Sequence, residues 1–119
     1  MYSIPNDFDI KQIIGQAIVQ VCYSINTISI HFERTGFITI EGSFTYFNGN
    51  KNIVIDELFP LRNDHGLLNL LETKVVDVSI DTNRTMLTIC FAENHSLMLI
   101  GIPEFESYII CFDGIEIRV

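Results

Sequence analysis

The chain has no tryptophan, no two cysteines close together, three prolines, and only seven lysines and arginines. Each shortage removes a class of function. Cys22, Cys90 and Cys111 are odd in number and widely spaced, so no C-x-x-C metal knuckle or redox motif is present. Fifteen acidic residues against seven basic ones leave a net charge of -8. Such a chain offers no positive footprint for nucleic acid. No apolar run reaches bilayer length. Met1-Tyr2-Ser3-Ile4-Pro5-Asn6-Asp7 lacks the positive region and apolar core of a signal peptide. The expectation is a reduced, cytoplasmic protein with no cofactor and no nucleic-acid or membrane partner.

What is present is apolar alternation. Ile28-Ser29-Ile30-His31-Phe32 reads as a half-buried strand, and Leu87-Thr88-Ile89-Cys90-Phe91 repeats it. Ile10, Ile13 and Ile14 mark one face of a helical turn, capped by Asp7 and ended by Gly15. Leu67, Leu70 and Leu71 repeat that spacing. Strands are expected at 17–23, 28–33, 37–41, 44–47 and 52–56, and again at 75–80, 86–91, 97–100, 108–112 and 115–119. In the first of these, Val19, Val21 and Tyr23 share a face. Gly42 and Gly101 end the third strand of each set. Asn48-Gly49 and Asp113-Gly114 are hairpin turns, because these residues accept positive φ. The sequence therefore predicts a single mainly β domain over 1–119. It is built from two pseudo-repeats, 8–56 and 65–119, each a short helix plus an antiparallel meander, packed as a sandwich or a barrel.

The sites of chemistry are sparse. Cysteine with His31, His65 or His95 lacks any local catalytic signature, and cysteines on alternating strands are ordinary core residues. His31 and Cys90 hold equivalent places in the two repeats but lack metal-ligand spacing. His95 falls in an expected turn, exposed to solvent. No Gly-rich loop precedes a helix, so no phosphate cradle is expected. Three carboxylate pairs remain: Asp56 with Glu57, Glu104 with Glu106, and Asp113 with Glu116. Glu104, Phe105, Glu106 and Tyr108 mix acids with aromatics in an insertion of the second repeat. With Asp113 and Glu116 they are the expected partner contacts, since interfaces favour aromatic anchors and an acidic rim suits a basic protein. The competing reading is a loop covering one end of the core. Outward-facing Met98 and Ile100, with uncharged Thr88 and Cys90 beside them, predict a homodimer built on that face.

Phe105-Glu106-Ser107-Tyr108 resembles a Tyr-Glu-Ser-Trp type motif near the C-terminus of a family of small uncharacterised bacterial all-β domains. Gly15-Gln16-Ala17-Ile18 is similar to the family's Gly-x-x-Val opening strand, and the duplicated apolar-x-apolar-x-Phe strand is also shared. That family brings no active site. By size, acidity and lack of chemistry the chain also resembles immunity proteins of bacterial toxin systems. The resemblance implies a non-catalytic protein that neutralises a cognate, nuclease-type toxin with a basic surface. The alternatives are a β-barrel holding a small hydrophobic ligand, an uncharacterised structural domain, and a Cys/His catalyst.

Overall fold

The computed structural model describes residues 3–104 and 106–119. Ten strands alternate inward and outward side chains as their sequences require: β1 (Ile18–Tyr23), β2 (Ile28–Phe32), β3 (Phe37–Ile40), β4 (Phe44–Phe47), β5 (Asn52–Ile55), β6 (Val75–Ile80), β7 (Met86–Phe91), β8 (His95–Ile100), β9 (Tyr108–Phe112) and β10 (Ile115–Arg118). They form two five-stranded antiparallel sheets. The first has the order β1-β2-β3-β9-β10, and the second β5-β4-β8-β7-β6.

The expected unit, a helix followed by a five-strand meander, is not what the chain forms. No helix of seven or more residues occurs among the described residues. The two apolar i, i+3 faces are single 3-10 turns, Ile10–Ile13 and Leu67–Leu70, which bury Ile10, Ile13, Leu67 and Leu70. Four residues cannot repay helix nucleation, so these turns depend on packing against the rest of the fold. The first is capped by Asp9, whose carboxylate accepts from Lys11 N–H, and not by Asp7. The meander is interrupted too. After three strands the chain leaves its sheet and adds a hairpin to the opposite one.

The crossings need close backbone approach, and glycine supplies it. Glu41 and Gly42 N–H both donate to the Ser107 carbonyl at 2.9 Å. A Cβ on Gly42 would come within 3.3 Å of Ser107 Cα, and one on Gly101 within 2.7 Å of the Thr85 carbonyl. Glu106 and Ser107 are thus part of a crossing, leading into Tyr108. Ser107 is buried, its N–H donates to the Val119 carbonyl, and its hydroxyl accepts from Ile102 N–H.

The two halves take corresponding paths. Ala17 bridges Lys74, and around that bridge the bonds come in matched pairs. Gly15 N–H donates to the Val75 carbonyl and Glu72 N–H to the Ile18 carbonyl, both at 2.8 Å. Val75 N–H reaches the Gln16 carbonyl and Ile18 N–H the Thr73 carbonyl, both at 3.0 Å. Register shifts fall between Ile18 and Gln20 and between Val75 and Asp77. A bulge there turns one extra residue outward. Val19 is therefore 56% exposed, and does not share the face of half-buried Val21 and Tyr23.

The core lies between the sheets as cross-strand rows. Ile28–Ile40–Tyr108 and Ile30–Ile38–Ile110 come from the first sheet, and Leu87–Leu99–Phe44 and Ile89–Leu97–Tyr46 from the second. All twelve are buried. Hydrophobic burial at roughly 25 cal/mol per Å² makes these rows the main support of the fold. Phe112 covers one end of the first sheet beside Gly36, where φ is +86° and any Cβ would run into the Phe112 ring. The corresponding end of the second sheet is closed by His95. It opens β8 half-buried, with its Nδ1 2.6 Å from the Tyr46 hydroxyl. His95 therefore faces the core and is not the solvated turn residue the sequence suggested.

Candidate functional site

The outward face of the second sheet is nearly free of charge. Its central row reads Ser79, Thr88, Met98, Thr45, Val54, and the next reads Asp77, Cys90, Ser96, Phe47, Asn52. Met86 and Ile100 form a further pair. Met98 and Ile100 are each half-buried among their neighbours. Both ends of the central row are exposed, Ser79 on β6 and Val54 on β5, the latter at 63%.

The first sheet differs at its β9–β10 side. Arg118 donates to Glu106 at 3.0 Å and to Glu116 at 2.8 Å. Glu41, at the crossing after β3, faces the same group. Its pKa is raised, first by burial and then by the nearby Glu106 charge. Glu41 also lines an open depression of about 450 Å³ with Asn26, Asp56, Glu57 and Phe59. Phe59 is 57% exposed there. Acidic groups therefore run from Asp56 and Glu57 through Glu41 and Glu106 to Glu116, with Arg118 held between the last two.

The structure gathers some of the expected contact residues and separates others. Glu106 and Glu116 meet through Arg118. Glu104 is exposed in the second crossing. Asp113 sits at the tip of the β9–β10 turn and accepts from the Thr35 hydroxyl at 3.3 Å. Phe105 lies outside the described residues. Tyr108 is corrected from contact to core residue: it is fully buried and its hydroxyl donates to the Thr85 carbonyl at 2.7 Å. Strand alternation explains this, because Tyr108 shares parity with inward Ile110 and Phe112. Sequence reasoning missed Glu41 and Phe59. Glu41 falls at the end of the expected strand 37–41, and nothing in the alternation ties it to the connector after β5.

The remaining nucleophiles and ligands are dispersed. Cys22, Cys111 and His31 belong to the outward face of the first sheet, and Cys90 to that of the second. His31 and Cys90 thus lie on opposite sides of the molecule. The His31 ring stacks on Phe37 with centroids 5.0 Å apart. Burial, then the Glu116 charge, pushes the Cys111 thiol up, which lowers its nucleophilic fraction. Among the described residues, no group of three or more His, Cys, Asp or Glu has metal-binding geometry, and no helix is long and apolar enough to cross a membrane. Compared with known proteins, the chain matches no family model, no curated protein and no solved structure.

Proposed function

We propose that this chain is a non-catalytic protein-binding domain that docks a basic protein across the acidic band and the adjoining Phe59 depression. The carrying observation is the combination at one place: an aromatic side chain 57% exposed, lining an open depression with Glu41, Asp56 and Glu57. An aromatic anchor inside a charged rim is the anatomy of a protein interface. The acids would meet cationic side chains, steer the encounter and set the register. The partner in this reading is a toxin of nuclease type, whose phosphate-binding surface is itself basic, neutralised by occlusion. The likeness in type to immunity proteins supports that narrower choice. For the alternative of a barrel holding a hydrophobic ligand, the space between the sheets speaks against a cavity: Tyr46, Tyr108, Phe44 and Phe112 fill it, each under 2% exposed.

The test uses the protein encoded beside this chain's gene, co-expressed with it and examined by calorimetry. The reading predicts a one-to-one complex. Phe59→Ala should weaken it by about 2 kcal/mol, as an anchor does. A folded Phe59→Ala variant that binds as well as the parent, or no complex at all, rejects this docking site.

A further inference from the structure

The edge strand β5, Asn52-Ile53-Val54-Ile55, ends the second sheet and has no charge, proline or bulge to oppose strand pairing. Its counterpart β10, at the same end of the first sheet, reads Ile115-Glu116-Ile117-Arg118, with two charges held in ion pairs.

The hydrogen-bond phase of β5 follows from its neighbours. Ile100 N–H donates to the Ser43 carbonyl at 3.3 Å, so Ser43 and Thr45 turn toward β8, and Phe44 and Tyr46 toward β5. Asn48 N–H donates to the Lys51 carbonyl at 3.2 Å, which gives the same phase from the hairpin end. Ile53 and Ile55, opposite Tyr46 and Phe44, are therefore the residues that bond β4. Asn52 and Val54 direct N–H and C=O to the free edge, where no other described segment bonds them.

We propose that β5 pairs antiparallel with β5 of a second copy of this chain, joining the two second sheets into one continuous sheet. A two-fold axis normal to the sheet keeps each side chain on its own face, so paired residues share parity. The axis passes through one residue: centred on Asn52 or Val54 the central pair is hydrogen-bonded, while centring on Ile53 leaves it non-hydrogen-bonded and sets Lys51 against Ile55. Centring on Val54 sets Val54 against Val54, Ile53 against Ile55 and Asn52 against Asp56. It also brings Lys51 of each copy beside Glu57 of the other. Centring on Asn52 sets Lys51 against Ile53 and draws the two Lys51 side chains together. Charge complementarity selects the Val54 register. It also explains how a chain of net charge -8 meets its own copy: this edge is uncharged in the middle, with Lys51 at one end and Asp56 and Glu57 at the other.

Sedimentation equilibrium of the purified full chain tests this. At tens of micromolar the parent should weigh twice 13.6 kDa. Val54→Pro and Val54→Lys should be monomers with an unchanged β-sheet circular dichroism spectrum. Should either variant fail to fold, the charge swap decides. Lys51→Glu should weaken the dimer on the order of tenfold by losing two exposed pairs, and Lys51→Glu with Glu57→Lys should restore it. Met98→Glu should leave the dimer intact. A parent that is monomeric at about 100 µM overturns the proposal. So does a dimer broken by Met98→Glu, or one indifferent to both the Val54 variants and the charge swap.

Discussion

The outward central row of the first sheet reads Cys22, Ser29, Thr39, Ile109, Arg118, and the matching row of the second reads Ser79, Thr88, Met98, Thr45, Val54. Strand plan and bulge position agree between the sheets, yet one row ends on a cation clamped by two glutamates and the other on a bare valine. A common frame thus leaves two differently prepared margins. The inward rows follow from the architecture, while the outward ends of the two sheets differ in charge.

The sharpest way to break the comparison is through the core. Ile30 and Ile89 hold matching places in the two inward rows and are 2% and 1% exposed. Ile30→Ala and Ile89→Ala should each cost about 2–5 kcal/mol, the range for a buried isoleucine truncated to alanine. Denaturant unfolding should place the two losses within about 1 kcal/mol of each other if both sheets belong to one cooperative core. A wide gap would mean that one sheet frays independently.

A second test concerns the turns after β1 and β6. In the first, the Ser24 hydroxyl accepts from Thr27 N–H at 3.1 Å. In the second, the Asp81 carboxylate accepts from Thr85 and Met86 N–H at 2.8 and 2.9 Å. Those backbone bonds, Met86 first, hold the Asp81 pKa below its ordinary value. Its contribution is therefore present above the usual carboxylate range and is lost as pH falls through the lowered pKa. Asp81→Asn should reduce stability by about 1 kcal/mol at neutral pH, since a charged acceptor bonds more strongly than a neutral one. Its stability curve should then be flatter than the parent's on the acid side. Ser24→Ala should lower stability without altering that slope.

The smallest effect is expected at Arg118. Its side chain is 46% exposed, so Arg118→Ala should leave stability nearly unchanged despite two ion pairs. The same change should raise the Glu41 pKa further, because Arg118 is the group that lowers it. Titration of Glu41 by NMR checks this.

Much of the fold was legible because burial writes itself at period two. Ile28, Ile30 and Phe32, and Leu87, Ile89 and Phe91, point inward as their alternation demands. Asp113 and Gly114 take positive φ, as their turn type requires. The exchange of hairpins was not legible. Gly42 and Gly101 marked where strands end, but alternation carries no record of which sheet the next strand joins. Nor was the outward turn of Val19, since a bulge moves parity by one residue without changing composition. Of the candidate site, the glutamates around Arg118 were partly foreseen. Glu41 and Phe59 were not, because they come from crossings far apart in sequence.

The central claim is that the acidic band docks a basic protein while Val54, at the middle of the β5 edge, takes no part. Stopped-flow association with the neighbouring gene's product, across a series of salt concentrations, tests it most directly. The account predicts a rate that falls steeply with salt, a further fall of at least about tenfold in Glu41→Lys with Glu106→Lys, and no change in Val54→Lys. A rate indifferent to salt and to those two glutamates would contradict it.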